Sequence, residues 1–339
     1  MNDARWMAAA LALGSRGRGR AAPNPNVGCV IVADGRVVGR GWTQPGGRPH
    51  AEAMALAQAG KKSRGATVYT TLEPCAHVSA RGPACSDLLQ LANVARVVIA
   101  LGDPDPRTDG SGIARLREAG IAVDVGLRAD EARSAMAGFL MRRTRGRPHV
   151  TLKLALSLDG ATALESGSSK WITGPGARAH AHLERARHEA ILVGRGTIAA
   201  DDPALDVRLA GLEARAPRRI VLSQTANPGW ERIATPHDIA TLDGVDHLLV
   251  EGGALTAAAF LAADLVDRLL LYRAPILIGG GRTLPDIGLG DVTAAHGRWL
   301  ITDERTLGSD RLEVYERVRD SAVPATIGTG FVPGDGGKG

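Results

Sequence analysis

Residues 48–60 read RPHAEAMALAQAG and put His50 and Glu52 two positions apart at the mouth of an alanine-rich helix predicted over 51–59. An apolar helix face needs neither residue, so the pair marks this turn for chemistry rather than packing. On the N-terminal side, VGCVIVADGRVVGRGW (27–42) is two β-rich runs around Asp34-Gly35, the dipeptide of a tight hairpin. On the C-terminal side, strands at 66–72, 95–101 and 121–125 alternate with helices at 84–92, 111–119 and 130–141. That alternation predicts an α/β unit, a mostly parallel sheet with helices on both faces. The run WMAAALAL (6–13) is too short to span a bilayer and follows an acidic Asp3, so it reads as an amphipathic first helix.

The segment RRTRGRPHV (142–150) breaks the periodicity with charge, glycine and proline, and the domain boundary is placed there, giving units over 1–145 and 146–318. A chain of 339 residues exceeds the usual single core of ~250–300 residues, which agrees with two units. The second series has strands at 149–156, 190–194, 219–223, 246–250 and 268–273, helices at 176–187 and 254–262, and a turn at Asp159-Gly160. Residues 319–339 lack any period and are rich in Gly and Pro, so a disordered tail is expected. The interval 224–246 lacks an apolar run of strand length, which predicts a lost strand and helix in the second unit.

Basic and acidic residues number 41 and 36, and aromatics make up 3%. The cations are scattered and few aromatics are available to stack bases, which argues against a nucleic-acid groove and suits a small phosphorylated ligand. No membrane partner is expected, and a homo-oligomer is. Three cysteines are too few for a disulfide framework in a chain this long, which points to a reducing, cytoplasmic setting.

Zinc catalysis needs three protein ligands, an open fourth position, and a base that moves protons. His50 offers a nitrogen ligand and Glu52 the proton shuttle. The sulfurs follow in TLEPCAHVSARGPACSDLL (71–89), with Cys75 directly after Pro74 and Cys85 at the start of a helix, where the helix dipole favours thiolates. H-x-E followed by P-C is the pattern of zinc base deaminases, which place their cysteines two residues apart. Here nine residues separate them, leaving room for a loop that carries His77 and Arg81. A purely structural zinc site, with His77 as fourth ligand, is the alternative. Cys29, inside an apolar strand, is assigned to the core.

In the second unit nothing matches G-x-G-x-x-G, so a Rossmann dinucleotide site is not indicated. Gly252-Gly253 lies between a strand and a helix, where backbone N–H groups can approach a phosphate.

PNPNVGCVIV (23–32), HAEAMAL (50–56), TLEPCAH and GPACSDLL (82–89) resemble the deaminase half of the bifunctional riboflavin-biosynthesis deaminase/reductase family. TLKLALSLDGATA (151–163), SGSSKWITG (166–174), GTIAADDPALDVRL (196–209) and VEGG (250–253) resemble its reductase half, so the likeness covers about residues 5–315. The resemblance implies a cytidine-deaminase-like three-layer domain that removes an amino group from a diaminopyrimidinone ribosylamino 5′-phosphate, using one Zn2+ per chain. It further implies a dihydrofolate-reductase-like domain that reduces the ribosyl chain to ribityl with NADPH. By motif, Asn24 and His77 fall at deaminase substrate positions. Ser169, Arg185, Leu205, Arg208 and Glu251 fall at reductase substrate positions, and Ala155, Trp171, Thr197, Asp201, Ser223 and Gly253 at NADPH positions. The shortened interval 224–246 predicts weakened NADPH binding, and the separate motif sets predict halves that work independently.

Overall fold

The computed structural model describes residues 3–77 and 81–319. In the first unit, α1 (Asp3–Gly14) precedes the hairpin β1 (Gly28–Ala33) and β2 (Arg36–Trp42). Then come α2 (Ala51–Ala59), β3 (Thr67–Thr70), α3 (Cys85–Leu91), β4 (Arg96–Ile99), α4 (Ser111–Glu118) and β5 (Ala122–Val125). The five-stranded sheet runs β2-β1-β3-β4-β5. It is mixed: β1 is antiparallel to both neighbours, while β2, β3, β4 and β5 all point one way. The alternation rule still holds between β2 and β3, which are joined by α2 and point the same way. The two-residue hairpin turn inserts β1 between them, and a turn that tight can connect only antiparallel strands.

Glycine lets both helices lie on the hairpin. A Cβ on Gly28 would meet the Ala10 carbonyl oxygen at 1.8 Å, and one on Gly41 would meet that of Ala51 at 2.0 Å. Backbone therefore packs on backbone, and His50 at the start of α2 is held at a fixed height over the sheet. Cys29 is fully buried in the core with Val30, Ile31 and Met7, as its strand position predicts.

The helix predicted over 130–141 is two helices, α5 (Ala129–Ala135) and α6 (Ala137–Arg145), broken at Met136, which adopts φ −109 and ψ 19. Met136 is fully buried, and the core contact overrides its helix propensity. Gly146 closes α6 in the left-handed conformation.

The second unit holds β6 (His149–Leu156), α7 (Pro175–Arg185), β7 (Ala190–Gly194), α8 (Arg195–Asp201), β8 (Arg218–Leu222) and β9 (Glu231–Ile233). These are followed by β10 (His247–Val250), α9 (Ala254–Ala262), β11 (Arg268–Arg273), β12 (Trp299–Leu307) and β13 (Asp310–Arg317). Its eight-stranded sheet runs β12-β13-β11-β6-β10-β7-β8-β9, parallel from β11 to β9, with the β12–β13 hairpin antiparallel at one edge.

Two expectations are corrected here. The interval 224–246 does contain a strand, β9, parallel to β8, and then a 3-10 helix over Pro236–Thr241 capped by Thr235 and Asp238. Ile233, Ile239, Leu242 and Val245 are buried along it, each a single apolar residue among polar ones, so no run of strand length shows in the sequence. The segment is short rather than missing. Second, Arg319, placed at the start of the expected tail, is anchored to Asp264 and Asp267 at 2.8 and 3.1 Å; the rest of that expectation, residues 320–339, lies outside the described residues.

Gly28→Ala is expected to overpack α1 against β1 at a cost of ~1–3 kcal/mol, lowering the thermal midpoint by roughly 2–10 °C. An unchanged midpoint by differential scanning calorimetry would contradict the close backbone contact.

Candidate active sites

His50 is the N-cap of α2, in extended conformation, so its ring leans back over the helix start while Glu52 enters the first turn. Cys75 follows β3 beyond Pro74, and Cys85 opens α3. These elements bring His50 Nδ1 to 3.3 Å from Cys85 Sγ and 3.6 Å from Cys75 Sγ. The three donor atoms lie within 4.8 Å of one another, and they form the one such cluster with metal-binding geometry among the described residues.

The sulfurs are not equivalent. The Cys75 thiol is pulled down to about 4, chiefly by its hydrogen bond with Cys85 and then, against burial, by that with His50. The backbone N–H of Cys85 also donates to Cys75 Sγ at 3.3 Å. Cys85 is pushed well up, by Cys75 first and by burial second, although both cysteines were expected to ionise easily at helix starts. Ionising both buried sulfurs together would need a cation between them, and a soft divalent ion with an imidazole as third donor fits that requirement.

With Nδ1 facing the sulfurs, His50 Nε2 lies 2.9 Å from the Asn24 carboxamide, which also bonds the Gly47 carbonyl at 2.8 Å. Asn24 therefore orients the candidate ligand as well as lining the pocket. Glu52 is buried and accepts from Thr70 Oγ1 at 3.2 Å; burial raises its carboxyl above the usual carboxylate range, against the opposing charge of His50. His77 lines the same pocket with its Nδ1 3.5 Å from Thr108 Oγ1, and it stands outside the donor cluster, so the four-ligand structural reading is not supported. Arg81 donates to the Gly46 carbonyl at 2.6 Å.

Sequence reasoning missed the far wall of this pocket. Glu73 accepts backbone N–H bonds from Asp103, Gly110, Gly112 and Ile113 at 2.9–3.2 Å, tying the start of α4 to the residue next to Pro74-Cys75. A Cβ on Gly112 would strike the Pro74 carbonyl at 2.0 Å. Asp103, Asp105, Arg107, Phe139 and Arg143 complete the lining. Asp103 is raised to about 6 by burial, and Asp105 is held low by its hydrogen bonds with Arg107. The visible signals were the Glu of TLEPCAH and the Asp-Pro repeat at 103–106; Arg143 lay inside the run read as a boundary.

In the second unit the C-terminal ends of β6, β7, β8 and β10 form one edge, where parallel sheets hold ligands. Ala155, Thr197, Ser223, Glu251 and Gly253 all lie along it. Arg185, closing α7, grips Glu251 with two bonds of 2.8 Å, and Lys153 Nζ stands 4.0 Å away. Burial works to raise Glu251, yet Arg185 and Lys153 hold it below its ordinary value. Thr256 in the first turn of α9 sits where a Cβ on Gly252 or Gly194 would lie, at 2.4 and 2.2 Å, so these glycines let the helix start reach the sheet edge.

Asp201 pairs with Lys170 at 3.4 Å, and Arg178 covers the exposed Trp171 ring at 4.7 Å. Ser169 is exposed, Leu205 is buried at positive φ, and Arg208 is exposed beside Asp206 at 3.0 Å. Ser223 Oγ donates to the Thr225 carbonyl.

Residues 1–101 match the family model of the cytidine and deoxycytidylate deaminase zinc-binding region, and residues 148–293 match that of the RibD C-terminal domain. The riboflavin biosynthesis protein RibD of Escherichia coli is 42% identical over 85% of this chain and 92% of its own length. Among solved structures, Acinetobacter baumannii RibD superposes with a TM-score of 0.84 at 36% identity, covering 94% of this chain and 99% of that one. A Thermotoga maritima diaminohydroxyphosphoribosylaminopyrimidine deaminase/5-amino-6-(5-phosphoribosylamino)uracil reductase gives 0.84 at 32% identity, covering 93% and 99%. Fold and site thus define a zinc-dependent deaminase of cytidine-deaminase-like fold joined to an NADPH-dependent reductase of dihydrofolate-reductase-like fold. The chain belongs to the RibD family of riboflavin-biosynthesis enzymes.

Removing the metal with a chelator is expected to make Cys75 reactive to iodoacetamide even at mildly acidic pH, while Cys29, in the core, and Cys85, almost fully buried with its thiol pushed up, stay unmodified. Peptide mass mapping that finds equal labelling with and without chelator would contradict this.

Proposed function

We propose that the first half hydrolyses the 2-amino group of 2,5-diamino-6-ribosylamino-4(3H)-pyrimidinone 5′-phosphate, and that the second half reduces the ribosyl chain of the product to ribityl. The observation that carries the reading is Glu52, which is buried and lines one pocket with His50 and Cys75, two of the three clustered donors. His50, Cys75 and Cys85 hold the zinc, which when bound supplies a Lewis-acidic centre that makes water nucleophilic near neutral pH. Glu52 takes the proton released as the C–O bond forms and delivers it to the departing amino group, so that water is consumed and ammonia leaves. Its burial suits that task, because a carboxyl raised above its ordinary value holds a proton more readily and can pass it on. Asn24 and His77 contact the pyrimidine.

In the second half NADPH supplies the hydride. Ala155, Trp171, Thr197, Asp201, Ser223 and Gly253 hold the cofactor, and Ser169, Arg185, Leu205, Arg208 and Glu251 hold the substrate. Arg208 suits the phosphate monoester, and the Arg185–Glu251 pair presents a fixed carboxylate to sugar hydroxyls. The units divide at 145/146, where α6 ends. We place the enzyme in the cytoplasm, supported by three free cysteines, and as a homo-oligomer, supported by exposed Leu277, Val292 and Leu300 on the reductase half. No helix among the described residues is long and apolar enough to cross a membrane.

Incubating the protein with the pyrimidinone phosphate should replace an amino group by oxygen, and adding NADPH should add two hydrogens, both read by mass spectrometry. An unchanged substrate mass would overturn the reading. Glu52→Gln should keep its zinc and lose deamination by at least ~10²-fold. Arg208→Ala should raise the reductase KM for the phosphorylated substrate ~10-fold, the loss of one charge-assisted bond, without moving the KM for NADPH.

A further inference from the structure

The helix that ends the deaminase half serves both halves at once. Phe139 and Arg143 of α6 line the deaminase pocket. Arg142, the neighbouring residue, points to a different side, because adjacent positions on a helix project about 100° apart. Its guanidinium donates to the carbonyls of Ala240, Leu242 and Val245 at 3.1, 2.9 and 2.5 Å, all in the segment that leads into β10 of the reductase sheet. One turn earlier, the backbone N–H of Gly138 donates to His247 Nε2 of β10 at 3.2 Å, and a Cβ at Gly138 would lie 2.4 Å from that ring. The helix is therefore tied to the reductase half at its first turn and again at Arg142.

From Arg143 a continuous polar chain runs into the deaminase site. Arg143 Nη2 lies 3.3 Å from Asp105 Oδ2, and Asp105 is buried and also held by Arg107 at 2.6 and 2.9 Å. The backbone N–H of Asp105 donates to Asp103 Oδ1 at 3.0 Å, and that of Asp103 to Glu73 Oε2 at 3.2 Å. Glu73 is two residues from Cys75. Arg107 is the principal cation on Asp105 and Arg143 the second, so moving Arg143 away weakens the hold on this buried carboxylate without leaving it unpaired.

We propose that the reductase half positions the substrate wall of the deaminase pocket, with Arg142 and His247 acting as positioning residues through α6. The dependence is one-way in chemistry: Glu52 and the metal donors come from the first half alone, whereas the wall facing them is set by contacts from the second. This qualifies the expected independence of the halves. It rests on the deaminase reading above for its kinetic consequence but not for its structural one.

The test uses the full-length, zinc-loaded chain with Arg142→Ala, and with Arg142→Lys as the milder change should the first fold poorly. Hydrogen exchange needs no substrate: amides at 103–109 should exchange at least ~10-fold faster in Arg142→Ala, as expected when a local opening loses about 1.4 kcal/mol of protection. Increased exchange confined to 240–247 and 145–147 would overturn the proposal. In deaminase kinetics, Arg142→Ala and Arg143→Ala should each raise KM with kcat and zinc content retained, and the double variant should be no worse than the poorer single variant, since both act through one helix. Fully additive effects would overturn it as well. If the parent fails to deaminate the pyrimidinone at all, the substrate reading falls while the exchange result still decides the positioning role.

Discussion

Two buried sulfurs facing one imidazole nitrogen set the terms for the deaminase half. Cys75 and Cys85 stand so close that ionising one suppresses the other, and neither can leave, because Cys85 opens a helix and its backbone N–H is bonded to Cys75. A divalent cation resolves the conflict by accepting both charges. The surrounding structure keeps this arrangement in place: Gly28 and Gly41 let α1 and α2 sit on the hairpin, Asn24 holds the far side of the His50 ring, and Glu73 ties the Cys75 loop to the start of α4.

The reductase half is organised on a different principle. Its parallel strands deliver backbone and side chains to one edge, and the glycines that would otherwise crowd Thr256 bring the start of α9 there. The Arg185–Glu251 pair gives that edge a carboxylate whose charge is secured by a cation rather than exposed to water. The same unit reaches back to the first through Arg142 and His247, so the boundary in the chain is a boundary of sheets more than of function.

Local signals made the site legible. H-x-E at a helix mouth and the two Pro-flanked cysteines are short patterns whose geometry is set within a few residues, so His50, Glu52, Cys75 and Cys85 could be found without tertiary knowledge. The Asp34-Gly35 turn and the strand at 149–156 were legible for the same reason. What was not legible depends on distant contacts. Glu73 looks like any residue of its motif until its four backbone donors, 30 to 40 positions away, are in place. Arg142 and Arg143 look like a charged linker, and only the packed helix shows that one meets the reductase half and the other the deaminase pocket. The strand at 231–233 and the hairpin at 299–317 carry little apolar periodicity because they lie toward sheet edges, where one isoleucine or alternate exposed positions suffice. Met136 split a predicted helix because its burial outweighed local preference.

The central claim is that three protein donors, and no fourth, hold the metal and leave one position open for water. X-ray absorption at the zinc edge of the loaded enzyme measures this directly. The account predicts two sulfurs at ~2.3 Å and two light atoms at ~2.0–2.1 Å, with the scattering signature of a single imidazole. A second imidazole, or a third sulfur, in the first coordination shell would contradict it.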